Sequence, residues 1–456
     1  MTNTKPETDL TISNYGFVGS KSRSKSSKRV RGLVYADFLV LMIVLFCSLL
    51  VRFGTNWPKS FSTYLLGFLI ATCLHILVYY FGEIYESAPR IGAKLWLPRV
   101  TALTSIAILL EAAAALITDY YLMPRGNLFI LWVFGSLGVS FNRWFSGQVR
   151  IKRYGIPRVL LVGSEEDINL GKDHIKECGT KVVVVGEIDN AIRLAEEIEL
   201  RRATDVLLLT DGLLKEIYPK PLEDLEIRRI GVFQRILPSD TLLGIRRSIQ
   251  IAGMPFTSLR AHTLSTSRSH FKVFTECLYL VFLFVPVLAL TLFTAVYVRM
   301  IAGAKIIHRQ ERVGKFGTTF YMLKFRTMHH YAEEETGIVK AQKDDPRVVS
   351  GLKWIRKSRF DELPQFWNVM KGEMSIIGPR PERPDFTKEY EGIIPGYGRR
   401  HDIPPGITGL AQVSGHYHTD PSYKLGHDLQ YLVNWSPILD LQILTRTLWV
   451  ILTGRT

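Results

Sequence analysis

Two adjacent carboxylates, Asp361 and Glu362, stand between a basic run of Arg356, Lys357 and Arg359 and a Pro379-Arg380-Pro381 turn. Acid beside concentrated base suits a site that handles phosphate with a metal. A carboxylate can act as nucleophile or metal ligand, and guanidinium forks hold phosphate oxygens two at a time. The competing reading is a solvated helix with ordinary salt bridges. Pro364 suits the first turn of a short helix, which puts Asp361 and Glu362 at or just before a helix N-terminus. The partial positive charge there favours an ionised carboxylate, and nearby guanidinium groups should lower the Asp361 pKa further. An N-cap role for Asp361 is compatible with that chemistry. Other basic points are Arg326, Arg347, Arg380 with Arg383, and Arg399 with Arg400. Interleaved with Gly and Pro turns, they fit a rigid anion pocket. The glycine-rich stretch Pro404–His416 can bring its backbone close to a ligand.

These residues need elements to position them, and the chain has room for about three domains in its 456 residues. Hydrophobic residues make up 47% of it, and they gather in long runs, as membrane segments do. The net charge is +15. Much of it flanks the apolar runs, which favours an anionic membrane surface over nucleic acid as partner. The four cysteines, Cys47, Cys73, Cys178 and Cys277, form no CxxC, so neither a disulfide framework nor a zinc site is expected.

Residues 1–31 read as a disordered basic tail. Four apolar segments follow at 32–53, 61–82, 98–118 and 126–146, within a four-helix transmembrane domain spanning 32–147. Each is long enough to cross a bilayer. Basic residues concentrate in the tail, around Arg90, Lys94 and Arg99, and after the fourth segment. The positive-inside bias then places both ends of the bundle in the cytoplasm.

Residues 148–262 read as a Rossmann-like α/β domain, with buried parallel strands in Pro157–Ser164, Lys181–Ile188 and Thr204–Asp211 alternating with helices. No GxGxxG occurs in the chain, so scaffolding or dimerisation is expected of this domain rather than dinucleotide binding. A fifth apolar segment, Val273–Val298, has Pro286 near its middle and basic residues on both sides. A crossing would put one basic cluster outside, against the bias. A proline removes a helical hydrogen bond and kinks the chain. The segment is therefore read as a re-entrant hairpin, broken at Pro286, with both ends cytoplasmic. The alternative is a plain kinked fifth span. The remaining domain, 263–456, is mostly α-helical. It ends in Trp435–Gly454, an apolar segment punctuated by Asp440, Gln442 and Arg446 that suits an amphipathic helix lying in the interface.

From about residue 268 the chain resembles the bacterial sugar transferase family of monotopic polyprenyl-phosphate phosphoglycosyl transferases. The stretches that carry the likeness are Arg309–Met328, Asp344–Val348, Arg359–Glu382, Pro404–Gly415 and Tyr431–Leu444, in family order. The spans and α/β domain resemble the N-terminal half of the family's long members, such as undecaprenyl-phosphate glucose or galactose phosphotransferases. The resemblance implies transfer of a hexose 1-phosphate, by default from UDP-glucose, to undecaprenyl phosphate with release of UMP. Galactose 1-phosphate and N-acetylhexosamine 1-phosphate are the alternatives. It implies Asp361 as a nucleophile forming a covalent aspartyl phosphosugar and Glu362 as the partner of Mg²⁺, with Asp361 near the same ion. It implies that Arg326, Arg347, Arg356, Arg380, Arg383, Gln412 and His416 bind phosphate or substrate, and that Pro286 is the membrane break. It further implies a homodimer at the bacterial inner membrane, its catalytic domain on the cytoplasmic face, acting at the first membrane step of exopolysaccharide, capsule or O-antigen synthesis. The sequence departs from the family at His416, where an arginine is usual, and at Gly426-His427-Asp428, where Glu-Leu-Asp is usual. A titrating imidazole does not replace a permanent guanidinium charge, so sugar choice or nucleotide affinity is where this chain should differ.

Two other classes compete. A membrane-anchored nucleotide-sugar dehydratase would need GxGxxG and a YxxxK pair, and neither is found. A non-enzymatic scaffold of polysaccharide assembly would have no need of the Asp361–Glu362 cluster.

Overall fold

A run of about 20 apolar residues in lipid must satisfy its backbone internally, and helix does this within one segment. The computed structural model describes residues 19–86, 91, 96–118, 125–179, 181–238, 240, 249–259, 264–329, 346–414 and 420–453. Five helices among them are long and apolar enough to cross a membrane. The chain divides into two compact units, one of Met1–Ala261 with Ser265–Arg268, the other of His262–Leu264 with Ser269–Thr456.

In the first unit, α1 (Gly19–Phe53), α2 (Phe61–Phe81) and α3 (Trp96–Thr118) follow the apolar segments closely. The fourth segment is α4 (Arg125–Ile130) and α5 (Ser136–Tyr154), joined by a π turn over Leu131–Gly135. Two expectations are corrected. The basic run from Lys21 to Arg31 belongs to α1 instead of preceding it, because Lys and Arg are good helix formers and no proline interrupts them. The domain boundary drawn at 147 falls inside α5. Leu41, Leu45 and Leu49 recur every fourth residue on α1 and are fully buried with Tyr64 and Phe68 of α2. The opposite faces stay apolar and exposed, as at Ile43, Leu66 and Leu109. Several polar residues inside the bundle stand in pairs: Asp37 with Arg143 and Asn142, Tyr79 with Thr104, and His75 with Glu111. Lipid offers such groups no other partners.

The same unit holds a sheet of β1 (Arg158–Val162), β2 (Val183–Ile188), β3 (Asp205–Leu208), β4 (Gly231–Arg235), β5 (Ile249–Ile251) and β6 (Met254–Leu259). Its order is β2-β1-β3-β4-β6-β5. The first four strands are parallel and the last two antiparallel. The order reverses between β1 and β3, which is where doubly wound sheets place ligands. Here α6 (Glu165–Glu177) starts at that point with Glu165, Glu166 and Asp167 in its first turn. Asp167 accepts from Thr210 at 2.6 Å, Ser164 at 2.8 Å and Arg235 at 2.8 Å. The chain's own carboxylate is thus bonded at the start of α6, beside the point where the strand order reverses.

The first unit also holds α7 (Leu194–Arg201), α8 (Leu214–Ile217) and α9 (Leu222–Ile227). The next helix, α10 (Thr266–Ala302), belongs to the second unit from Ser269 on and is one continuous helix that keeps Pro286 inside it. The predicted hairpin break is thus not a break in helical structure. Both ends of α10 are held by this unit. Lys272 Nζ donates to Glu276 at 2.7 Å, to the Ile377 carbonyl at 2.9 Å and to the Tyr431 hydroxyl at 2.9 Å. At the other end Tyr297 donates to the Gly351 carbonyl at 3.3 Å, and Arg326 donates to the Ala302 carbonyl. Between these anchors Val281, Phe282 and Val285 are exposed.

A hairpin of β7 (Ile307–Val313) and β8 (Thr319–Phe325) follows. Met322 joins a core with Ile377, Tyr431 and Trp435, while Phe325 joins one with Val298, Leu352 and Ile355. Next come α11 (Lys353–Lys357), a 3₁₀ turn over Phe360–Glu362, and α12 (Gln365–Met370). Then β9 (Ser375–Ile377) pairs in parallel with β10 (Gly406–Thr408). A Cβ at Gly406 or Gly409 would overlap the backbone of Gly378. Two glycines of the glycine-rich stretch thus make a close approach to the chain itself. The remaining helices are α13 (Pro384–Ile393), α14 (Leu410–Ser414), α15 (Pro421–Asn434) and α16 (Pro437–Thr453). On α16 Asp440 is buried, bonded to Tyr431 at 2.7 Å and Trp435 at 3.0 Å, while Ile438, Leu441, Leu448 and Trp449 are exposed.

Lys272 is buried between Glu276 and Asp440. Replacing Lys272 with Met leaves two buried carboxylates without their cation, a loss of about 3–5 kcal/mol. The expected outcome is a clearly lower apparent melting temperature for the full chain in detergent. An unchanged melting curve would refute the anchoring role.

Candidate active site

The 3₁₀ turn that holds the two carboxylates is entered through Arg359, whose backbone is left-handed at φ 60° and ψ 19°. A non-glycine residue rarely adopts that conformation, and where it does the surroundings must hold it. The bend turns both side chains inward, leaving Asp361 8% and Glu362 7% exposed. Glu362 is then gripped by cations from three elements. Its Oε1 lies 3.0 Å from Arg380 and 3.4 Å from Lys324, and its Oε2 lies 3.6 Å from Arg359. Asp361 has no hydrogen bond or ion pair among the described residues.

The two acids titrate in opposite directions. Burial alone would raise the Glu362 pKa, but Arg380, Lys324 and Arg359 together hold it well below the usual carboxylate range. Burial raises Asp361 to about 6, and the charge of Glu362 adds to this against Lys324, Arg356 and Arg380. The lowering expected from the sequence is therefore reversed. Helix-end and arginine fields are visible in a sequence; loss of water is not. Positive charge is in surplus around the pair. Burial, then repulsion by Arg380, pulls Arg312 down to about 10, and burial lowers Lys324 despite Glu362 beside it. Such a site favours an anionic ligand.

The residues singled out from the sequence separate into groups. Arg380 contacts Glu362 directly while its side chain stays 37% exposed, so it remains open to a ligand. Arg356 acts on Asp361 through its charge. Arg383 sits at the N-cap of α13, and its charge is felt by Arg312. Arg326 takes a different part from the one expected, binding the last carbonyl of α10. Arg347 lies beside the Met328–Val348 bridge, where its carbonyl accepts from His329 at 3.1 Å. Gln412 donates to the Ile407 carbonyl at 3.2 Å and leaves its buried Oε1 without a partner. His416 lies outside the described residues.

Lys324 and Arg359 were missed as partners of Glu362. The signal for Lys324 was a lone cation in the apolar strand "FYMLKF". Asn368 was also missed. It accepts from Leu323 N at 3.0 Å and donates to the Tyr321 carbonyl at 2.9 Å, which stitches α12 to β8 and sets where Lys324 stands.

The donor set also bears on magnesium. Among the described residues no three His, Cys, Asp or Glu side chains cluster as a metal cage. Mg²⁺ often takes only one or two carboxylates and completes its shell with water and substrate phosphates. An unpaired Asp361 carboxylate beside Glu362 fits that mode.

The family described as bacterial sugar transferase matches residues 267–454. The uncharacterized sugar transferase EpsL of Bacillus subtilis (strain 168) is 37% identical over 174 residues, which cover 38% of this chain and 83% of that one. This chain belongs to the bacterial sugar transferase family. A UDP-N-acetylgalactosamine-undecaprenyl-phosphate N-acetylgalactosaminephosphotransferase of Aeromonas hydrophila is 44% identical over 168 residues, 36% of this chain and 40% of its own. A UDP-glucose:undecaprenyl-phosphate glucose-1-phosphate transferase of Xanthomonas campestris pv. campestris is 40% identical over 163 residues, 35% of this chain and 34% of its own. The chain thus matches less than half the length of these two relatives. The bacterial sugar transferase region contains every element that positions Asp361 and Glu362.

The folded chain holds the Asp361 proton up to about pH 6, against an ordinary value of 3.8. Its contribution to stability is therefore present at low pH and lost as pH rises through that window. Asp361→Asn removes the buried charge. The variant is expected to be more stable than the parent above pH 6, by on the order of 2–3 kcal/mol, and no more stable below about pH 4. Melting curves across that range, without ligand, check it. A variant less stable than the parent at pH 8 would refute the raised Asp361.

Proposed function

We propose that this chain transfers a sugar 1-phosphate from a UDP-sugar to undecaprenyl phosphate and releases UMP. The observation that carries the reading is the division of labour between the acids. Glu362 is neutralised by Arg380, Lys324 and Arg359, while Asp361 beside it is unpaired and ionises near neutral pH. The activities for which the Aeromonas and Xanthomonas relatives are named support the substrate class.

In this reading an Asp361 oxygen attacks the sugar-side phosphorus of the diphosphate. The bridging P–O bond breaks, and UMP leaves with the electron pair. The phosphosugar is held as an acyl phosphate on Asp361. A phosphate oxygen of undecaprenyl phosphate then attacks the same phosphorus and frees the Asp361 carboxylate. Splitting one displacement into two is covalent catalysis. Arg380, Lys324 and Arg356 surround the phosphoryl group and stabilise its charge. Mg²⁺, when bound at Asp361 and Glu362 with the diphosphate, would neutralise phosphate charge. The site lies at the bacterial inner membrane, on its cytoplasmic face, in a homodimer. Glucose 1-phosphate is the default, and the Aeromonas relative makes N-acetylgalactosamine 1-phosphate the first alternative.

The membrane part of the reading is that α10 enters and leaves by the same face. Support comes from its two ends, both bonded to the unit that carries the carboxylates, and from the exposed apolar residues between them. Basic residues flank both ends.

Two experiments test these points. Asp361→Asn should reduce UMP release at least about 10³-fold across a panel of UDP-sugars with undecaprenyl phosphate and Mg²⁺; turnover at the parental rate would overturn the mechanism. Cysteines placed at Thr266 and Lys305 of a cysteine-free chain should both react with an impermeant thiol reagent from the cytoplasmic side only. Reaction from opposite sides would show that α10 spans the bilayer.

A further inference from the structure

The loop that presents Arg380 has all four of its carbonyls engaged. Pro379 accepts from Gly406 N at 2.9 Å, and Glu382 accepts from Val313 N at 2.9 Å. Pro381 accepts from Arg312 at 3.1 Å and Arg380 from Arg400 at 2.9 Å. Two of the four donors are backbone amides, as expected of a loop laid between strands. The other two are guanidinium groups. Burying a guanidinium is expensive unless its charge is met, and a neutral donor would suffice to satisfy one carbonyl.

For Arg400 the charge is met by built partners. The residue is 4% exposed and Asp428, on α15, is 2% exposed. Arg400 Nη2 lies 2.8 Å from Asp428 Oδ2, and Nη1 donates to the Tyr397 hydroxyl. The guanidinium also stands 5.0 Å from the centre of the Tyr397 ring, a cation–π contact. Both groups are deep in the unit and distant in sequence from the acids. The hydrogen bond from this pair to the catalytic loop is the one Arg400 donates to the Arg380 carbonyl.

The Arg380 side chain needs such support. It reaches Glu362 at 3.0 Å in the company of Lys324, Arg359 and Arg312, all of like charge. More than a third of it faces solvent, where hydration competes for the guanidinium. Holding the carbonyls on both sides of its Cα fixes the direction in which the side chain leaves the backbone. Preorganised donors of this kind need no reorganisation when charge develops.

We propose that Arg400, neutralised by Asp428, is a positioning residue for Arg380: it clamps the Arg380 carbonyl so that the guanidinium faces Glu362 and the diphosphate. This rests on the transfer reading above. The sequence marked Arg400 only as one of several basic points, and Asp428 as the surviving acid of a departed family pattern.

The test is a double-mutant cycle on the full chain in detergent, with UMP release measured against UDP-sugar concentration. Arg400→Lys keeps the charge but loses the forked geometry. It should raise KM for the UDP-sugar about tenfold and change kcat less than about threefold, with the melting temperature near the parent's. In an Arg380→Ala background the same substitution should have no further effect on kcat/KM, because the group it positions is gone. Equal losses in both backgrounds would overturn the proposal and leave Arg400 a general stabiliser. If Arg400→Lys does not melt cooperatively, Asp428→Asn carries the same cycle with the same two outcomes. No UMP release by the unsubstituted chain from any UDP-sugar would instead overturn the transfer reading and this inference with it.

Discussion

The organisation of the second unit depends on burying two neighbouring carboxylates and leaving one of them unpaired. Two carboxylates about 4 Å apart repel by about 4 kcal/mol at an effective dielectric of about 20, and burial adds the loss of hydration. The chain meets this by pairing three cations directly with Glu362. Lys324 comes from β8, Arg359 from the left-handed bend and Arg380 from the loop after β9. Three elements must therefore converge on one oxygen pair. The Asn368 bonds to β8 and the packing of Gly406 on Gly378 are the local devices that let them converge.

The same unit has a second problem, the apolar length of α10. Its middle offers Val281, Phe282 and Val285 to the surroundings, and water is a poor medium for such a surface. Its ends offer Lys272 and Arg299, and lipid is a poor medium for those. Lys272 resolves the conflict at one end by turning inward, where Glu276, Ile377 and Tyr431 replace its water. Ile377 is the last residue of β9 and stands three residues before Arg380. The anchor of the apolar helix and the support of the catalytic loop thus share one short strand.

Much of this was legible in the sequence because it is written in long or repeated signals. The apolar runs needed no periodicity to be recognised, and the first three parallel strands stood out as Val- and Leu-rich stretches. β4 was passed over because "GVFQR" carries two polar residues in five, and the β5–β6 pair because its strands are short and one contains Pro255. In the site, Asp361, Glu362 and Arg380 were found from composition. Lys324 was not, since strand pairing decides which residue of "MLKFR" meets the acids. The pattern pointed to Arg326, one turn of the pleat too far. The glycines after Pro404 were read as making room for a ligand; at Gly406 and Gly409 the close neighbour is Gly378. The Asp361 pKa had the wrong sign because fields from neighbouring charges can be listed from a sequence and desolvation cannot.

The chain contains a useful internal control for what makes an aspartate reactive. Asp167 and Asp361 each stand near a helical turn with an arginine in reach. Asp167 has its oxygens filled by Thr210, Ser164 and Arg235, and the Thr210 bond leads in pulling its pKa down. A carboxylate so satisfied is a poor nucleophile, because attack would break bonds already made. Asp361 has the nearest cations paired to Glu362, so its lone pairs stay free; burial first, and then the Glu362 charge, raises its pKa. What distinguishes the two is which neighbour takes the available donors. At residue 361 the adjacent glutamate takes them, and that is the physical content of placing two acids side by side.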